Sequence, residues 1–315
     1  MQAVQIRQYG GDEVLELVEC PKPSAGPGQL LVKIHAAGVN YYDVKIREGW
    51  LRQFFPLQFP HTLGNDFAGV VEEVGEGVTG FQPGDRVFGL ITVFHGGTYA
   101  EYLAVDASLV RHAPANMPLD EAAGLPMVGL TALIALVQLG NLQRGQRVLI
   151  HAGSGAVGGA AIQLAKHMGA HVVATCSACN TDFLYTLGAD EVVDYTSTDF
   201  RTIAKDIDLA VDVIGGDTNM RTFEVMRRGG TIAVVLRNDP VEMANRERLC
   251  QEHGVEVKVV AFDTWPEGLD TLRELAEAGH LHGNVQSVFP LSEARAAHQL
   301  SQSRHARGKI VLKVV

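Results

Sequence analysis

Residues 147–158 read Arg-Val-Leu-Ile-His-Ala-Gly-Ser-Gly-Ala-Val-Gly. An apolar, β-favouring run enters a G-x-G-x-x-G turn, and the apolar-periodic segment GAAIQLAKHMGA leaves it. Strand, glycine turn and helix in that order are the context in which a dinucleotide pyrophosphate can be bound. Gly153 would permit the tight turn, Gly155 would let the pyrophosphate approach the main chain, and Gly158 would let the helix pack on its strand. Ser154, Ala156 and Val157 complete the turn, whose free N–H groups and helix dipole favour phosphate.

The next β-like run, His171–Thr175, ends in Cys176-Ser177, and the first acid beyond it is Asp182. An NAD-selective site places Asp or Glu there to accept the ribose hydroxyls. A carboxylate would repel a 2′-phosphate, whereas small hydroxyl residues leave room for one, so the reading leans to NADPH. No Arg or Lys follows the strand immediately; Ser177 and Asn180 are the polar candidates. Cys176 and Cys179 form a C-x-x-C, read here as small residues lining the nucleotide pocket rather than as a redox pair.

Composition narrows the classes. The chain has 315 residues, 46% hydrophobic and 20% charged, enough for two domains with sizeable cores. A net charge of −10 argues against a nucleic-acid surface. Four scattered cysteines suit a reducing compartment. The N-terminal MQAVQIRQYGG does not read as a signal peptide, and the longest apolar run, near Met127–Leu139, is too short and broken to span a bilayer. These features predict a cytoplasmic protein.

The elements that must position the turn fall into two groups. The first ~120 residues carry short β-like runs (AVQIRQY, VLELVEC, QLLVKIHAAGV, AGVVEEVG, DRVFGL, TYAEYLAV) separated by turns such as PKPSAGPGQ and GFQPGD. They predict a twisted, largely antiparallel barrel. DEAAGLPMVGLTALIALVQLG then reads as helix with a break at Pro126. Six β runs follow, alternating with helices over 157–168, about 180–187, about 217–227 and about 240–252, with a weak helix after EVVDY. That alternation predicts an α/β fold with a six-stranded, doubly wound parallel sheet. The helix GLDTLRELAEAG and a last strand, GKIVLKVV, would return to the first domain. The expected domains are residues 1–121 with 262–315, and residues 122–261.

HAGSGAVGGAAIQLAKHMGA, LGADEVVDY, AAGVNYYDVKIREG at 36–49, GNDFAGVVEEVG at 64–75 and the terminal RGKIVLKV together resemble the medium-chain dehydrogenase/reductase superfamily. The resemblance spans essentially the whole chain and is narrower towards the zinc-free, zeta-crystallin-like quinone oxidoreductases. It implies a GroES-like β-rich catalytic domain beside a Rossmann domain. Zinc alcohol dehydrogenases carry Cys where this chain has Asn40, and Gly-His-Glu where it has Gly64-Asn65-Asp66. Carboxamides are poor zinc ligands, and the closely spaced cysteines of a structural zinc lobe are missing between Val87 and Tyr102. His61, Asp66 and His95 could be construed as ligands, but twelve histidines make some grouping inevitable. No metal is expected.

The resemblance places Asn40 near the nicotinamide. Tyr41, Tyr42 and Lys45 follow it and could donate to a developing oxygen, while Asp43 reads as a helix N-cap or a partner for Lys45. His61 and Asp66 read as walls of the substrate pocket, and LRQFFPLQFP as an aromatic wall. On the cofactor side the resemblance adds Thr131 and Tyr195; strand ends in a doubly wound sheet add Val213, Ile214, Leu236 and Arg237, and Lys309 is counted with the cofactor contacts. Arg307 and Lys309 could reach the site from the last strand, unless they form a solvated face.

Without a metal to stabilise an alkoxide, reduction of an already electrophilic acceptor is the expected direction. The expectation is NADPH-dependent hydride transfer to quinones or activated α,β-unsaturated carbonyls. An enoyl-thioester or alkenal double-bond reductase, and a low-turnover NADPH-binding sensor, are the alternatives. The resemblance implies a homodimer, for which residues 256–262 would supply a pairing edge.

Overall fold

A computed structural model describes residues 1–92, 97–235, 240–261 and 265–314 of the chain. Contacts divide it into two compact units, Met1–Met127 with Asp263–Val315, and Val128–Phe262.

The first unit opens with β1 (Gln2–Ile6), β2 (Glu16–Glu19), β3 (Gln29–Val39), α1 (Tyr41–Arg47), β4 (His61–Thr62) and β5 (Asp66–Val74). β6 (Arg86–Leu90), β7 (Tyr102–Asp106), β8 (Val110–His112) and α2 (Leu119–Ala122) follow. Pro126 opens α3 (Pro126–Leu133), where the missing proline N–H costs nothing; from Val128 onward this helix, and the π-helical turn Ile134–Leu139 that continues it, belong to the second unit.

The second unit holds β9 (Arg147–Ile150), α4 (Ala156–His167), β10 (His171–Cys176), α5 (Thr181–Thr186), β11 (Glu191–Asp194) and β12 (Ile207–Asp212). It continues with α6 (Gly216–Thr222), β13 (Met226–Val234), α7 (Pro240–His253) and β14 (Glu256–Val259). The chain then returns to the first unit with α8 (Pro266–Glu277), β15 (Val285–Pro290), α9 (Ala294–Ser303) and β16 (Lys309–Lys313). Among the described residues no helix is long and apolar enough to cross a membrane.

Two sheets build the first unit: β2-β1-β4, and a seven-stranded sheet ordered β15-β16-β3-β5-β6-β8 with β7 also on β3. All pairs are antiparallel except β15 with β16. β3 is its longest strand, and a bulge between Ile34 and Ala36 shifts its alternation by one residue. Leu30, Val32 and Ile34 enter a core with Phe67, Val71 and Val87; Ala37 and Val39 enter a second one with Ile46, Tyr99 and Ala297. Gly38 pairs with Asp66, and a Cβ there would lie 2.7 Å from the Asp66 carboxylate. The bulge and that glycine set where Asn40, at the strand's end, emerges.

The second unit is the expected six-stranded parallel sheet, ordered β11-β10-β9-β12-β13-β14. Its details depart from the sequence reading in four places. The helix expected at 180–187 is only Thr181–Thr186, and the weak helix after β11 is a single 3-10 turn, Phe200–Thr202. The helix expected to 227 ends at Thr222, because β13 already begins at Met226. The edge strand expected over 256–262 is Glu256–Val259, and Phe262 lies outside the described residues. β4, β8, β15 and α9 were not anticipated.

Candidate active site

In the second unit, Gly155 stands at the N-cap of α4, and the three glycines divide the work unequally. A Cβ on Gly158 would lie 2.3 Å from the Ala152 carbonyl oxygen, so this glycine lets α4 dock on the end of β9. A Cβ on Gly153 would meet Ile162 and Leu184, each at 2.9 Å. The left-handed residue of the turn is Ala152, at φ 50°, rather than Gly153, so Gly153 serves packing. A Cβ on Gly155 would have no neighbour nearer than 3.4 Å, which leaves its face open for a ligand.

A buried polar cluster supports this turn. Thr175 accepts the Ala152 N–H at 3.2 Å on its hydroxyl, and the Gly153 N–H at 2.8 Å on its carbonyl. The same hydroxyl lies 3.3 Å from His151 Nδ1. Thr222 donates its own hydroxyl to the Thr218 carbonyl, so it accepts from His151 Nε2 at 2.9 Å. That bond fixes the neutral Nε2–H tautomer, and burial pushes the His151 pKa down to about 4. Asp212, fully buried, accepts the Ile214 and Gly215 N–H groups on one oxygen and Asn219 on the other. The Val213-Ile214-Gly215 loop, expected near the cofactor, is shaped by that carboxylate. None of His151, Thr175, Thr222 and Asp212 was singled out from sequence as a support.

At the end of β10, Asn180 Nδ2 donates to Ser177 Oγ at 3.1 Å, and Cys179 Sγ lies 3.5 Å from the same oxygen. Cys176 is buried and its thiol pKa is raised by that burial; Cys179 is exposed. Tyr195 is exposed, its N–H bound to the Cys176 carbonyl at 3.0 Å. Thr131 is buried within α3. Leu236 and Arg237 lie outside the described residues, as does His95.

In the first unit, three side chains from distant strands meet. Lys309, the first residue of β16, sends Nζ to Asn40 Oδ1 and to Asp66 Oδ2, the latter at 2.9 Å. Asn40 Nδ2 donates to Asp66 Oδ2 at 2.9 Å, and the Met127 N–H reaches Asp66 Oδ1 at 2.8 Å. Lys309 is 1% exposed, Asp66 0% and Asn40 8%. Lys309 thus forms no solvated face, and Asp66 is an interior acceptor rather than a pocket wall. Arg307 instead reaches Gln286 Oε1 at 2.7 Å from a more open position.

The sequence reading of Asp43 needs correction. Asn40 is the N-cap of α1, and Asp43 is the third residue of the helix, its carboxylate returned to the cap's backbone N–H. Its Oδ2 accepts the Asn40 N–H at 2.8 Å and the Tyr99 hydroxyl at 2.9 Å, rather than pairing with Lys45. Burial raises the Asp43 pKa to about 7. Behind Tyr99 stands His298 of α9, with Nε2 3.3 Å from the hydroxyl and Nδ1 3.1 Å from Arg47 Nη1. A guanidinium only donates, so Nδ1 accepts and Nε2 carries the hydrogen. The bonds run in one direction, Arg47 to His298 to Tyr99 to Asp43.

Tyr41 accepts from Arg304 at 3.0 Å and packs edge-on to Trp50. Tyr42 packs against the second core, and its pKa rises to about 12 through burial and then Asp43. Lys45 has a lowered pKa from burial and then Arg304, with Nζ 5.5 Å from the Tyr41 ring. Burial lowers the His61 pKa as well. In the segment read as an aromatic wall, Phe54 is exposed.

Zinc would require thiolate, imidazole or carboxylate ligands. Two of the three positions that match zinc-ligand segments hold carboxamides, and the third, Asp66, is engaged by an ammonium, an amide and a backbone N–H. This donor set does not suit zinc. The glycine turn does suit a dinucleotide, since Gly155 is open and α4 presents its N-terminus there.

Comparison with known proteins accords with this geometry. Residues 26–115 match the family described as Alcohol dehydrogenase GroES-like domain, and residues 187–312 match the one described as Zinc-binding dehydrogenase. The quinone-oxidoreductase QR1 of Triphysaria versicolor, described as chloroplastic, is 35% identical over 99% of this chain and 98% of its own length. The Escherichia coli quinone oxidoreductase solved with NADPH is 26% identical and superposes with a TM-score of 0.88 over 100% of both chains. A solved structure described as an NAD-dependent alcohol dehydrogenase is 31% identical, with a TM-score of 0.94 and 100% of both chains covered. Fold, glycine turn and full-length likeness agree, and the chain belongs to the medium-chain dehydrogenase/reductase superfamily as an NAD(P)H-dependent, quinone oxidoreductase-like enzyme.

Proposed function

We propose that this enzyme uses NADPH, without zinc, to reduce quinones or activated α,β-unsaturated carbonyls. The observation that carries the reading is Asn40, an amide donor held by Lys309 and Asp66 at positions where zinc enzymes keep metal ligands. Bound NADPH would supply the hydride. The open face of Gly155 and the N–H groups opening α4 would hold its pyrophosphate. Ser177 and Asn180 would take the 2′-phosphate, with Thr131, Tyr195, Val213 and Ile214 bordering the rest.

A quinone or enone gains negative charge on oxygen as hydride arrives, and one or two fixed donors can stabilise it. Asn40 supplies such a donor, with Tyr41 and Lys45 as further candidates. The Tyr42 hydroxyl, with its pKa near 12, would keep its proton and serve as a donor rather than an acid. Stopped-flow oxidation of NADPH by a panel of quinones and enones tests the reading; binding without turnover on every acceptor would sink it. Faster turnover of enoyl-thioesters than of quinones would favour the double-bond reductase instead.

The NADPH preference rests on the missing acid at the end of β10. Ser177→Asp should shift the kcat/KM ratio towards NADH by roughly 10-fold or more, because the carboxylate would oppose the phosphate. NADH binding as tight as NADPH in the unaltered chain would refute the preference. We also propose a homodimer, paired through the sheet edge at β14, and a cytoplasmic setting. A monomer in sedimentation would count against the dimer.

A further inference from the structure

We propose that Lys309 and Asp66 are positioning residues that hold the Asn40 amide in the orientation presenting an N–H to the acceptor's oxygen. The inference rests on the reductase reading above and deepens it. An ammonium has only hydrogens to offer, and an ionised carboxylate only lone pairs. Lys309 therefore selects Oδ1 of Asn40, and Asp66 selects Nδ2. Turning the amide over would set donor against donor and acceptor against acceptor at once. The backbone of the same residue is held separately, its N–H on Asp43 Oδ2.

With one Nδ2 hydrogen given to Asp66, the second has no protein partner among the described residues. Asn40 retains 8% exposure, whereas Lys309 and Asp66 have almost none. Of the three residues, Asn40 alone keeps surface beyond about 1%. The ammonium on Oδ1 draws electron density from the amide and makes the remaining N–H a stronger donor. A buried ion pair is weak evidence for stability, since an apolar pair of equal volume often serves the fold as well. Orientation of a neighbouring amide gives the pair a use that an apolar pair could not supply.

p-Nitrophenol tests this without turnover, because its ionised oxygen resembles the one formed on a reduced quinone. The full chain with NADP⁺ is titrated with the probe, and the bound phenolate fraction is read from its visible absorbance as pH varies. The unaltered chain should favour phenolate. N40A should weaken phenolate binding roughly 100-fold, the order reported for losing one oxyanion donor. K309M should lose a comparable factor, and N40A/K309M little more than either alone, since the two changes remove one device. K309R, whose guanidinium also only donates, should recover part of the loss.

In parallel, K309M should lower kcat on a quinone and leave the KM for NADPH unchanged. Additive losses in the double variant would overturn the proposal, as would K309M keeping the phenolate preference. If K309M fails to fold, D66E replaces it: the longer carboxylate keeps its charge but displaces Asn40, and unchanged phenolate binding there overturns the proposal. Failure of the reductase reading shows separately, as an unaltered chain that prefers phenolate yet turns over no acceptor.

Discussion

The two polar centres of this molecule are built in opposite ways. Around Gly155 the second unit works mainly with backbone and empty space: three glycines in six residues and a helix N-terminus, with hydroxyls, the neutral His151 and the Asp212 carboxylate in support. Around Asn40 the first unit works with charged side chains gathered from afar, Asn40 to Asp66 across 26 residues and Lys309 to Asp66 across 243. One centre binds by leaving room, and the other orients by filling it. A change of shape should damage the first, and a change of charge the second.

The largest effect should follow from Lys309→Met. It strands the buried Asp66 carboxylate, and urea unfolding should show a loss of about 3–5 kcal/mol, the usual cost of breaking a buried pair from one side. A loss below about 1 kcal/mol would mean that the pair carries no charge of consequence.

Next comes a contrast within the glycine turn. Gly158→Val forces side-chain atoms against the Ala152 carbonyl and should cost about 1–3 kcal/mol of stability along with most NADPH affinity. Gly155→Ala meets nothing nearer than 3.4 Å and should keep stability within about 0.5 kcal/mol, while NADPH binding weakens in calorimetry. Equal stability losses in both would break the distinction between the two glycines.

The smallest effect is one of pH. Asp43, with its pKa raised from 3.8 to about 7, favours folding fully below pH 3.8 and loses that contribution as pH rises to about 7. His298, lowered from 6.5 to about 3 by burial and then by Arg47, favours folding above pH 6.5 and loses it as pH falls towards 3. Between about pH 4 and 6.5 these slopes oppose each other. Asp43→Asn should unmask the histidine, and stability should then fall with acid by about 1.4 kcal/mol per pH unit more than in the unaltered chain. Parallel pH curves for the two proteins would show that the Arg47–Asp43 chain does not hold these ionisations.

Legibility follows the same division. The six parallel strands read clearly because each is a compact β-branched run, and the glycine turn because its chemistry lies within twelve consecutive residues. α9 was missed because its buried face is Ala294, Ala297 and His298, too small and too polar to mark a helix by hydropathy. β15 alternates half-buried with exposed residues and ends in proline, so it resembled a loop. From sequence Asp43 reads as the N-cap of α1 or a partner for Lys45; it is neither, because the cap is Asn40, and which residue is the cap depends on where β3 ends. That in turn depends on the bulge at Ile34, which no local pattern reveals.

By itself the sequence determined the Rossmann sheet, the nucleotide turn, the missing acid after β10 and the carboxamides at the two zinc-type positions. These are local facts, carried by residue type and short spacing. The tertiary structure alone decided that Lys309 lies inside on Asn40 and Asp66, that Asp43 answers to Tyr99 and His298, and that Ala152 takes the left-handed turn. Each depends on strand register and on chain ends meeting, and burial turns an ordinary lysine, aspartate or histidine into a group with one permitted partner and one permitted orientation.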